Sequence, residues 1–288
     1  MFALFAFAPT AKMLARGVAT GLVYAALTGG LAAQQSVPPD FSSNQTAWLT
    51  FDVEFRAVPG GPSPVRNDPA HPRVSNAEAL RTGKQPTFLI ADLSNPNLKP
   101  WVKERMKKDN DEVLSGKIAF TPHSSCSPAG VPAFHLYGFQ PMYFIQTPKE
   151  VVIIFSGDKQ VRHVYLDVPH SKDPKPSWYG ESVGHYEGGD TLVVDTIGLN
   201  DKSFVDNFRT PHTEKLHVVE RFTISPDEKN LTALVRVDDP DTFNAPLTMQ
   251  QRWFKVNDPI GESICAENNF DFFRQNLFPL PEAKTPDF

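Results

Sequence analysis

Beyond Phe120 the apolar residues fall into short runs: "MYFIQ", "EVVIIFS", "QVRHVYLDV", "DTLVVDTIG", "KLHVVERFTI", "NLTALVRVDD" and "MQQRWFKV". Gly, Pro, Asn and Asp separate them, as they separate strands, and loops such as 156–159 and 225–230 have the length of hairpins. No helical pattern intervenes, which predicts a mainly β fold, an antiparallel β-barrel or barrel-like sandwich. Upstream, "AWLTFDVEF" alternates, with Leu49, Phe51, Val53 and Phe55 on one face, and is expected to be a half-buried strand. Residues 58–75 hold five prolines and predict a long loop. The one helix expected before the main sheet spans Leu98 to Leu114 and is ended by Gly116.

Composition sharpens this picture in few places. The 288 residues include 27 Pro and 22 Phe, which favours short strands and irregular loops over a helical bundle. A net charge of −5 with no basic run longer than two residues argues against a nucleic-acid surface. Lys12 and Arg16 precede "GVATGLVYAALTGGLAA", the layout of a secretory signal peptide. Residues 1–33 are therefore expected to be removed, with no stable membrane span afterwards and a periplasmic or secreted location. An uncleaved anchor is the alternative, and Met13 competes with Met1 as the start. Residues 34–288 read as a single β-rich domain. In an oxidising compartment Cys126 and Cys265 are expected to form a disulfide, two buried free thiols being the other reading.

The chain has no nucleophile elbow, P-loop, dinucleotide fingerprint or zinc-protease motif. Its chemical signals are polar residues on apolar faces. Glu220 stands between Val218 and Phe222, and Arg162 shares a face with Val164 and Leu166. On inward faces they must be paired or line a polar cavity. His185 with Glu187, and His212 with Glu214, are two residues apart, so each pair points one way in a strand and suits acid/base work or half of a metal site. Around "GESVGHYEGGDTLVVDTIGLND" lie His185, Asp195, Asn200, Lys202, Asp206 and His212, more polar chemistry than a hairpin needs. His170 opens a Pro-rich loop, a common position for functional residues.

The segments "CSPAGVP", "YFIQTPKEVVII", "VRHVYLDVPHSKDPKPSWYGESVGHYEG", "DTLVVDTIGLNDKSFVDN" and "RTPHTEKLHVVERF" resemble a large uncharacterised family of secreted bacterial proteins. Its core motif is G-x-[WY]-E-G-D-T-L-V-V-[DE]-T-x-G-[FL]-N-D-K, and the resemblance covers residues 97–270. It implies export and a β-rich fold but no activity. Gly188-Gly189 stand where the family has one Gly, which reads as a bulge and leaves the register of His185 against Asp195 open. The resulting expectation is an exported barrel that takes a small, partly apolar molecule in its cavity. His212 would act as acid/base with Glu214 or Asp206, in a hydrolysis or elimination that needs no organic cofactor. Arg162, His170, Asp195, Asn200, Lys202, Glu220 and His185 would bind the substrate. A non-catalytic periplasmic binding or envelope protein is the competing reading, and a divalent metal at His/Glu residues the less favoured addition.

Overall fold

A computed structural model describes residues 38–42, 46–84, 89–117, 119–122, 126–138, 140–158 and 160–262. The expected signal segment, Cys265 and the Phe-rich stretch after Asn268 lie outside the described residues. The strands expected beyond Phe120 form: β3 (Met142–Gln146), β4 (Glu150–Phe155), β5 (Val161–Leu166), β7 (Thr191–Ile197), β8 (His217–Ile224), β9 (Asn230–Asp238) and β10 (Leu247–Asn257). They are joined by β6 (Glu181–Glu187) and, upstream, by β1 (Thr46–Leu49) and the two-residue β2 (Arg56–Ala57).

All ten strands form one sheet, ordered β1-β3-β4-β5-β6-β7-β8-β9-β10-β2. A further β1–β10 pairing closes every strand except β2 into a barrel. The pairings are antiparallel apart from β5–β6, which is parallel with Val164 opposite Ser182. That exception follows from the chain: after β5 the Pro-rich segment 167–180 crosses over and returns the chain in the same direction. At its end Gly180 has φ +63, and a Cβ there would lie 2.4 Å from the Ile197 carbonyl oxygen, so only glycine lets β6 start against β7.

Period-two alternation fills the interior. Val218, Glu220, Phe222 and Ile224 of β8 point inward, as do Leu231, Ala233, Val235 and Val237 of β9. Trp48, Phe144, Phe222 and Trp253 pack among them, so side chains occupy the middle of the barrel. Two expectations need correction. The strand expected from 47 to 55 stops at Leu49, Phe51 is 55% exposed against the Phe254 ring, and Trp48 is the buried anchor. Its indole N–H donates to the Phe41 carbonyl, a tie that alternation does not foresee. The added glycine is not a bulge, because β6 and β7 pair without interruption from Glu181–Ile197 to Glu187–Thr191. Gly188 and Gly189, both with positive φ, lie in the turn.

The long helix α2 (Pro100–Leu114) packs outside the ring, preceded by a short α1 (Asn76–Thr82). Pro at its first turn and Ser115 then Gly116 at its end set the bounds of α2. Buried Asn110 fixes it to the segment between α1 and α2 by accepting from Ala91 N and donating to Ala91 O.

Candidate functional site

Two histidine–carboxylate networks sit on opposite sides of the barrel wall. The inner one centres on Glu220, which is fully buried. Arg162 of β5 reaches across and grips both carboxylate oxygens through Nη1, at 3.0 Å, and Nη2. Its Nε donates to Ser182 Oγ at 3.0 Å and Nη2 to Thr196 Oγ1 at 2.7 Å, so four of five guanidinium N–H groups are committed. A tight turn, Ala133–Leu136, enters the barrel, and His135 Nε2 donates to Glu220 Oε1 at 2.6 Å. Burial would push Glu220 up, but the Arg162 charge and the His135 hydrogen bond outweigh it and hold the carboxyl at about 2. Burial drives His135 the other way, down and towards neutral, with Glu220 opposing. The inner network is therefore one cation and one anion, each satisfied by the other. Gln251 Nε2 holds the His135 carbonyl at 2.9 Å and locks the turn in place.

The outer network lies on the solvent face of β6, β7 and β8. Asp195 Oδ1 meets His170 Nε2 at 3.1 Å and His217 Nε2 at 2.7 Å. The other nitrogen of His170, Nδ1, meets Glu181 Oε1 at 3.0 Å, and Ser171 N donates to the same oxygen at 2.7 Å. The result is a chain Glu181–His170–Asp195–His217 that stays part-exposed. The hydrogen bond from His217 keeps Asp195 below its ordinary value, and the same bond raises His217. Glu181 is also held low, first by its hydrogen bond with Ser171.

Glu181 also lines a cleft of about 410 Å³ at the parallel junction. There the first half of β5 has no β6 partner in the register, which begins at Val164, so the strands splay. Tyr165, Trp178 and Tyr179 supply aromatic walls, Lys175 and His163 supply basic groups, and Arg162 with Ser182 lies at the side facing the interior. Apolar walls with a few placed polar groups are what small-molecule sites present.

The residues expected to form a catalytic trio are not brought together. His212 is buried, with Nε2 against Ser203 Oγ at 2.9 Å and Nδ1 donating to the Thr213 carbonyl at 3.0 Å. Both ring nitrogens are thus occupied without a carboxylate, and burial lowers its pKa. Asp206 is buried as well, accepting from Phe208 N, Thr210 N and Thr210 Oγ1, and burial raises it to about 6 despite those bonds. Glu214 is exposed. In a loop the i, i+2 geometry of a strand does not apply, so His212 and Glu214 do not share a face. His185 does face Glu187, at 2.9 Å, in a rim triad with Arg221. Asn200 accepts from Lys202 N and donates its own N–H to the Ser177 carbonyl beside the cleft, while Lys202 is exposed.

Of the expected binding residues, the structure joins His170 with Asp195 and Arg162 with Glu220. It adds Glu181, His217 and His135, which sequence reasoning did not select. His217 alternates onto a face that reads as solvent, and only the β7–β8 register shows that Asp195 stands beside it. Among the described residues no group of three or more His, Cys, Asp or Glu side chains is placed to hold a metal ion. Among them, too, no helix is long and apolar enough to cross a membrane. Scans against protein-family models, curated proteins and solved structures return no match to this chain.

Proposed function

We propose that this chain is an exported barrel protein that takes a small, partly apolar molecule in the β5–β6 cleft and acts on it by acid–base chemistry. The observation carrying this reading is that Glu181 belongs to both features, lining the cleft and bonding His170. Glu181 is the ionised carboxylate facing a bound molecule; it takes a proton from the attacking water or from carbon and returns it to the leaving group. His170, bonded to Glu181 and Asp195, holds Glu181 in position. His217, whose pKa is raised, holds a proton at higher pH than a free imidazole and keeps Asp195 ionised and in place from the far end of the chain. Hydrolysis and elimination both suit this set. His170, Asp195 and Glu181 take the roles that the sequence assigns to His212, Glu214 and Asp206.

Export, cleavage near Gln34 and a Cys126–Cys265 bridge belong to the same proposal, as does kinship with the secreted family. N-terminal sequencing of the exported chain and thiol titration under denaturing, non-reducing conditions test those parts. The ligand is tested by untargeted mass spectrometry of small molecules retained by protein purified from its native compartment. Exposed Ser177 lines the cleft, so Ser177→Trp is expected to abolish retention without altering the circular dichroism spectrum. Equal retention by the Trp variant would sink the cleft as the site.

A further inference from the structure

A second pocket, of about 170 Å³, lies between α2 and the loop after β7 and shares no residue with the cleft. Its volume matches about six waters in the liquid, enough for a compact molecule. Arg209 lines it and concentrates two costs in one residue. Its backbone takes φ +64, unusual for any side chain but glycine, and it is held there by the Asp206 turn. The residue is 2% exposed, yet among the described residues the guanidinium makes a single hydrogen bond, from Nη2 to the Leu89 carbonyl at 3.3 Å, and Nε finds no partner. A buried guanidinium in this state calls for an oxyanion.

The same pocket is lined by Asp109 of α2, whose buried Oδ2 accepts no hydrogen bond. Its contact with Arg105 Nε, at 3.4 Å, is long and poorly directed. Arg209 and Asp109 attract one another electrostatically but form no ion pair within 4.0 Å. One pocket thus holds an unfilled donor and an unfilled acceptor of opposite charge. A simple anion would satisfy Arg209 and leave Asp109 Oδ2 without a donor, and a simple cation would do the reverse. Val113, Ala119, Phe120 and Phe204 supply an apolar part of the wall, and the charged Arg105, Lys108 and Glu112 complete the lining. We propose that this pocket binds a small α-amino acid, its carboxylate on Arg209, its ammonium on Asp109 Oδ2 and a short apolar side chain against Val113, Ala119 and Phe204.

Calorimetric titration of the full chain with L-valine, propionate and propylamine tests this. L-valine is expected to bind at least about tenfold more tightly than either single-charge probe, since only it meets both groups. Asp109→Asn is expected to weaken L-valine by about tenfold while leaving propionate unchanged or better bound. Val113→Phe, at a half-buried helix position, fills the pocket and is expected to abolish binding of all three, which keeps the test decisive if Asp109→Asn folds poorly. Equal binding of L-valine and propionate, insensitivity to Val113→Phe, or a soaked crystal with only water between Arg209 and Asp109 would each overturn the proposal.

Discussion

The inner and outer histidine–carboxylate networks use the same side-chain types and differ in what surrounds them. Inside, Arg162 and Glu220 are 2% and 0% exposed at the side chain, so the ion pair has no water to replace either partner. Outside, Asp195 and His217 are 39% and 43% exposed, and each can exchange its partner for solvent or a ligand. A buried pair of this kind specifies an arrangement more than it stabilises one, since desolvation offsets much of the Coulomb energy. An exposed pair contributes little to stability but keeps its proton in reach of a reacting molecule. Burial, not residue type, separates scaffold from candidate chemistry in this barrel.

The largest expected effect is on the inner side. Glu220→Gln leaves Arg162 buried without a counter-charge and is expected to cost about 3–5 kcal/mol in denaturant unfolding. The double replacement Arg162→Met with Glu220→Leu should recover much of that loss, giving a strong coupling in a double-mutant cycle. Near-additive losses would show that the two residues act separately.

A middle-sized effect is expected at His212. Removing its ring strands Ser203 and leaves a gap in a buried loop, so His212→Ala should cost about 1–3 kcal/mol. Unchanged thermal stability together with lost function would restore His212 as an acid/base residue.

On the outer side stability should barely move. Asp195→Asn is expected to cost no more than about 1 kcal/mol, given its exposure, yet to remove retention or turnover of the cleft's ligand. The pH profile is finer still. Because His217 has a raised folded pKa, its contribution is complete below the ordinary value of 6.5 and is lost as pH rises through the higher folded value. Asp195, with a lowered pKa, contributes above 3.8 and loses that contribution as pH falls through its folded value. Subtracting the stability profile of His217→Gln from that of the parent should leave a difference that declines on the alkaline side. A difference that grows with pH would reverse the assignment.

Period-two alternation made the inner face legible, because every interior residue of β8 follows from its apolar neighbours, Glu220 included. It also pointed to Arg162 as the partner by residue type. The parallel β5–β6 junction was not legible, since chain direction is set by the path of the 167–180 crossover and leaves no periodic mark. The cleft went unseen with it, and so did Glu181. His217 was missed because a polar residue on an outer face looks the same whether it meets water or a carboxylate two residues off its register position. At His212 and Asp206 polar residues in a loop suggested a site. Their hydrogen bonds instead hold the loop's own backbone and neighbouring hydroxyls.

The division between scaffold and site is tested most directly by one ligand-retention measurement on two variants. Mass spectrometry of natively purified Asp195→Asn and of His135→Leu, an inner-network residue that does not line the cleft, compares the two networks in a single assay. Retention lost or unconverted in Asp195→Asn, and preserved in the folded His135→Leu variant, is the predicted result. Retention that survives unchanged in Asp195→Asn but fails in folded His135→Leu would place the function inside the barrel and contradict the account.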